Sequence, residues 1–108
     1  MIKILACMGE NAAFVLKAEG HANAERNEKD HDLVCCAVST LVCTLANSCA
    51  MVEDVNTTYR QESGNALLTV DKITKERRQE IAIRFRMAAD GLQGLQEQYP
   101  DSLRVTIK

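Results

Sequence analysis

Hydrophobic and polar positions divide the chain into seven segments. Ile2–Met8 is a compact apolar run, and the stretch from Phe14 to Glu19 begins with Phe14, Val15 and Leu16. Apolar, β-branched and aromatic residues of this kind favour strands. Gly9-Glu10-Asn11 between them has turn chemistry, so the two runs predict a hairpin. Asn23 to His31 follows, with Glu25, Arg26, Glu28, Lys29 and Asp30 and almost nothing apolar, which predicts a loop. Loops of this kind carry function more often than core elements do.

Leu33 to Val52 then runs for twenty residues without a charge. That is long enough in principle to cross a bilayer. Thr40, Thr44 and Asn47 recur at helical spacing as a polar stripe, Ser39 and Ser48 add to the polarity, and no basic cluster flanks either end. The segment is therefore expected to be a soluble core helix, buried on most of its faces and opened by Asp32 as N-cap, whose carboxylate can accept amide protons of the first turn.

The second half repeats the theme. Thr57 to Gln61 and Ala66 to Val70 predict strands joined by the turn Glu62-Ser63-Gly64-Asn65. Asp71 or Thr74 is expected to start a last helix. Its apolar face is Ile81, Phe85, Ala88, Leu92, Leu95 and Tyr99, spaced three or four apart, and Pro100 stops it. Gly91 and Gly94 lower its intrinsic propensity and point to close packing or bending there. Leu103, Val105 and Ile107 alternate in a final strand. The predicted order is ββαββαβ: a single α+β domain over residues 1–108, with two helices packed on a mixed, mostly antiparallel sheet.

A chain of 108 residues with 46% hydrophobic and 26% charged residues can bury a core without a metal or disulfides. The net charge of −2 gives no field to hold a nucleic-acid backbone. Lys75, Arg77, Arg78, Arg84 and Arg86 cluster, but Glu76 and Glu80 interleave with them, which predicts a solvated helix face. The opening Met1-Ile2-Lys3-Ile4-Leu5 lacks the basic and long apolar regions of a secretion signal. Five cysteines, at 7, 35, 36, 43 and 49, form no CxxC pair. Thiols in a reducing cytoplasm are expected, with no zinc ribbon, no metal site and no cofactor.

The candidate chemistry lies between Gly20 and Ser39. With Asp32 as N-cap, Cys35 would be the third helical residue, where unpaired first-turn amides and the helix dipole favour a thiolate. An imidazole nearby would complete a nucleophile and base pair. Cys36 is about 100° further round the helix, so one base cannot serve both thiols. Cys7, Cys43 and Cys49 read as small core residues. His21, after Gly20, and His31, just before the cap, stand level as bases on spacing alone. A zinc site from His21, His31, Cys35 or Cys36 is disfavoured by the missing paired ligand spacing. Inert core cysteines are the rival reading.

Gly20-His21-Ala22 and Asp32-Leu33-Val34-Cys35, with Ser39 four residues on, resemble the ribosomal-processing cysteine protease family, also called Prp or YsxB-like. The run from Leu92-Gln93-Gly94-Leu95 through Glu97-Gln98-Tyr99-Pro100 is similar to that family's closing segment, so the resemblance spans nearly the whole chain. It implies a cytoplasmic homodimer that removes the N-terminal extension of the large-subunit ribosomal protein numbered twenty-seventh in standard naming. It implies a dyad of Cys35 as nucleophile and His21 as general base and acid, and so separates His21 from His31. First-turn amides of Cys35 or Cys36 would then donate to the oxyanion. Ser39, one turn along from Cys35 on the same side of the helix, is expected to support the site or pack. The rival is a non-enzymatic, ribosome-associated binding module with structural cysteines. The loop between His21 and Cys35 is longer than the family pattern, and Cys36 stands where a small residue is usual.

Overall fold

In the computed structural model the described residues are 1–9, 13–20 and 28–108, with 28–32 described in their backbone only. The elements follow the expected order: β1 (Ile2–Met8), β2 (Phe14–Glu19), α1 (Glu28–Ala50), β3 (Asn56–Glu62), β4 (Asn65–Asp71), α2 (Arg78–Gln98) and β5 (Leu103–Ile107). They form one five-stranded sheet in the order β3-β4-β2-β1-β5. Three neighbouring pairs are antiparallel, and β1 with β5 is parallel. The parallel pair follows from α2, which carries the chain back across the sheet before β5.

Alternation decides the sheet's two faces. Ile2, Ile4 and Ala6 of β1, Phe14, Leu16 and Ala18 of β2, and Leu68 and Val70 of β4 are buried in one core cluster. From the helices, Val34, Val38, Val42, Ile81, Phe85 and Leu92 close on the same cluster. The Phe14 and Phe85 rings meet with centroids 5.2 Å apart. Cys49 belongs to this core at 0% exposure, and burial pushes its thiol up to about 11 despite the opposing Arg84 charge. Cys7 and Cys43 do not belong to it: both are half-buried. Cys7 alternates with the buried Ile4 and Ala6 and so falls on the sheet's other face.

Several boundaries differ from the sequence reading. α1 starts at Glu28, so Glu28 to His31 are helical rather than loop, and Asp32 is an interior helical residue and not the N-cap. Glutamate and lysine are good helix formers, and acidic residues are favoured in a first turn. A charged opening turn lacks apolar periodicity without being any less helical. α1 is also not buried on most of its faces. Its stretch Leu33–Ala50 is long and apolar enough to cross a membrane by composition, yet only 33% of it is buried. A helix lying on one side of a single sheet has one covered face, and Cys36, Thr40, Thr44 and Asn47 are exposed on the other.

α2 starts at Arg78 rather than at Asp71 or Thr74. Asp71 ends β4 and accepts a hydrogen bond from Asn56 Nδ2 at 2.7 Å, which ties the two strands. The basic cluster is only partly a solvated face. Arg77 pairs with Glu80 at 3.1 Å, Arg78 donates to the Gly9 carbonyl at 2.9 Å, and Arg84 donates to Ser48 Oγ at 2.8 Å. Gly91 is a close approach, since a Cβ there would sit 3.2 Å from Leu41 Cδ2, whereas Gly94 faces open space.

Candidate active site

The row of residues across the sheet beneath α1 explains why a cleft exists. Gln61, Ala66, Ala18 and Ile4 lie side by side on neighbouring strands. The next row on the same face is Tyr59, Leu68, Leu16 and Ala6. Two leucines fill the second row at its centre. Two alanines in the first leave a cavity of about 190 Å³ under the helix, with Ala18 and Ala66 in its lining.

Cys35, Val38, Ser39 and Val42 line this cavity from α1. Their spacing of three, four and seven puts them on one face of the helix. Cys35 is half-buried and packs against the core, while Cys36 is exposed, so the two neighbouring thiols have separate environments as expected. The Cys36 carbonyl accepts from Thr40 Oγ1 at 2.8 Å, on the exposed side of the helix. Ser39 lies one turn after Cys35 and shares the cavity.

Gly20 lines the cavity from the β2 side. Its φ of 96° is in the region that favours glycine, and a Cβ there would lie 2.4 Å from the Met1 carbonyl oxygen. Its N–H donates to the Gly64 carbonyl at 2.9 Å, tying the end of β2 to the β3–β4 turn. The chain position just before His21 is thus pinned at the rim of the cavity that holds Cys35. His21 lies outside the described residues, as does the rest of the segment 21–27. His31 and Asp32 are in the α1 backbone, with their side chains outside the description.

The helix start changes the chemistry expected of Cys35. Counting from Glu28 it is the eighth helical residue. Its amide and that of Cys36 sit where intrahelical carbonyls are available, so they are not spare donors for an oxyanion, and the first-turn argument for a thiolate lapses.

Two further residues of this cavity went unnoticed in the sequence. Tyr59 and Gln61 line it from β3. The Tyr59 hydroxyl donates to Gln61 Oε1 at 3.3 Å, and the Cys43 sulfur lies 3.6 Å from the Tyr59 oxygen. Alternation along β3 placed both residues on one face of a strand, but no motif marked them. Among the described residues no group of three His, Cys, Asp or Glu side chains is arranged to hold a metal. A larger cavity of about 720 Å³ lies elsewhere, between Met8, Phe14, Ile83 and Met87. Among the described residues its lining holds no thiol, hydroxyl or imidazole.

Comparison with known proteins gives a consistent picture. The fold matches the essential ribosomal processing protease Prp from S. aureus, in complex with a covalently linked product peptide and, separately, with a substrate peptide. In both, the TM-score is 0.76 at 17% identity, over 100% of each chain. SMU.848 from Streptococcus mutans matches with a TM-score of 0.74 at 24% identity, over 99% of this chain and 96% of that one. At such identities the likeness is one of fold. No curated protein matches the chain. The family model for cysteine protease Prp matches residues 1–104. The chain belongs to the cysteine protease Prp family.

Proposed function

We propose that this chain is the cytoplasmic, homodimeric peptidase that trims the N-terminal extension of the twenty-seventh large-subunit ribosomal protein, with Cys35 as nucleophile and His21 as general base and acid. The observation that carries this reading is the cavity itself. In a chain of a cysteine protease family it is lined by one thiol, that of Cys35, and by Gly20, the residue before His21. The S. aureus Prp relatives, which share the fold, bind a substrate peptide and a covalently linked product peptide.

His21 takes the Cys35 proton, and the sulfur attacks the scissile carbonyl carbon, forming a C–S bond as the π pair moves to oxygen. Collapse re-forms the carbonyl and breaks the C–N bond, and the leaving amine departs with the proton from His21. Water, deprotonated by His21, then attacks the thioester, releasing the new carboxylate and restoring the thiol. Ser39 lines the site beside the nucleophile in a supporting role.

Incubation of the extended ribosomal protein with purified variants tests this. Cys35→Ala is expected to abolish cleavage, Cys36→Ala to retain most of it, and His21→Ala to lose more than His31→Ala. Parental cleavage by Cys35→Ala would end the proposal, and the reverse order of the histidine variants would move the base to His31.

A further inference from the structure

With α1 starting at Glu28, the backbone amides nearest Cys35 belong to the helix, and an oxyanion formed at Cys35 needs donors from elsewhere. β3 walls the same cavity with the side chains of Tyr59 and Gln61. Two donors converge on the carbonyl end of the Gln61 amide. The Tyr59 hydroxyl lies at 3.3 Å from Oε1, and the Cys43 thiol at 3.8 Å from the same atom. An amide has an acceptor at one end and two N–H donors at the other. Anchoring the oxygen therefore turns the nitrogen away from Tyr59 and Cys43 and leaves its donors for another acceptor. The anchor persists at ordinary pH: burial pushes the Tyr59 phenol up to about 12, with Cys43 adding to the shift, so the hydroxyl keeps its proton.

We propose that the Gln61 side-chain amide is an oxyanion donor for acyl transfer at Cys35. This rests on the reading of Cys35 as nucleophile. When the C–S bond forms, the carbonyl π pair becomes the negative charge on oxygen, and a Gln61 N–H donates to that oxygen. When the pair returns, the C=O bond re-forms, the C–N bond breaks and the amine leaves with its proton. Gln61 gains and loses nothing. Tyr59 and Cys43 act through it, as positioning residues.

Gln61→Glu is the sharpest variant, because it keeps an oxygen for Tyr59 and Cys43 and removes both N–H donors. Gln61→Met keeps the length and removes donors and anchor alike. With the extended ribosomal protein as substrate, both are expected to lower kcat by about 10²- to 10³-fold with KM little changed, the loss typical of one oxyanion donor. Iodoacetamide alkylation of Cys35 builds no oxyanion, so in Gln61→Met its rate should stay near the parental one. Gln93→Ala, at an exposed amide of α2 outside this cavity, should retain most of the cleavage. Cleavage within about threefold of parental by both Gln61 variants overturns the proposal, against the much larger loss expected for a missing donor. So does a fall in alkylation that matches the fall in cleavage, since Gln61 would then only shape the thiol's surroundings. If Cys35→Ala is dead while both Gln61 variants cleave normally, the oxyanion role alone is removed. If Cys35→Ala cleaves normally, the nucleophile and this inference fall together.

Discussion

Gly20→Ala tests how the site is pinned. At φ 96° an alanine is in a backbone region that L side chains rarely adopt, at a cost of about 1–3 kcal/mol. The new Cβ also meets the Met1 carbonyl oxygen at 2.4 Å, closer than real Cβ contacts come. That oxygen cannot simply move aside. It shares a peptide plane with the Ile2 N–H, which donates to the Ser102 carbonyl at 2.9 Å and starts the parallel pairing of β1 with β5. Rotating the plane weakens this hydrogen bond, for about 1 kcal/mol. The Gly20 N–H to Gly64 bond is strained at the same time. The sum is about 2–4 kcal/mol, a large part of the roughly 5–15 kcal/mol that stabilises a small domain. Urea denaturation followed by circular dichroism should show it as a lower midpoint with an unchanged slope. Thermal melting should show a fall on the order of 10 °C. Gly20→Asn separates the two causes: asparagine tolerates positive φ better but keeps the Cβ, so it should recover only part of the loss. A Gly20→Ala protein within about 0.5 kcal/mol of the parent, the usual range for a neutral surface change, would refute the reasoning.

Two other expectations follow from the core and from titration. Phe85→Ala removes a fully buried ring packed on Phe14 at 5.2 Å; denaturation should show a loss of about 3–5 kcal/mol, and a loss below about 2 would mean the site collapses around the cavity. Stability should also fall in alkali. Tyr59 is raised from 10.0 to about 12 and Cys49 from 9.0 to about 11, so the unfolded chain releases these protons before the folded one. Their contribution is fully present below about pH 9 and is lost as pH rises through about 12. Tyr59→Phe should make the decline above pH 10 shallower, and an identical decline in urea titrations of both proteins would contradict the assignment to Tyr59.

The order of the elements was readable because each has its own period: alternation in β5, three-and-four spacing in α2, and an uncharged run in α1. What misled at the start of α1 was the absence of apolar residues from Glu28 to Asp30. Periodicity reports which face is buried, and a charged helical turn carries no such pattern. The same run of twenty uncharged residues overstated burial, because serines, threonines and asparagine lower charge without needing a covered surface. Asp71 looked like a helix cap but is held by Asn56 across the β3–β4 pair, a partner fifteen residues away that local pattern does not show. That Cys35 and Ser39 share one face of α1 was readable, because helical spacing is local. Tyr59 and Gln61 were not, because their approach to Cys35 depends on how β3 pairs with β4 and how α1 crosses the sheet.

The small residues of the sheet say most about how this fold makes a reactive site. A core packed to normal density would close the space under Cys35, as Leu16 and Leu68 close the next row. Ala18 and Ala66 forgo that packing where the thiol lines the cavity. The loss is tolerable because Val34, Val38 and Val42 still fix α1 to the core on either side of the thiol. Cys35 is therefore carried by a helix packed on the core, over a shallow floor. The chain leading to His21 departs from a glycine whose conformation, hydrogen bond and contact with Met1 are all specified. In the proposed dyad, Cys35 is referenced to the sheet through packing, and the residue before His21 through the specified conformation of Gly20. Cys35 should accordingly keep its place when peripheral contacts are altered, and the geometry of the proposed dyad should be most sensitive to changes at Gly20.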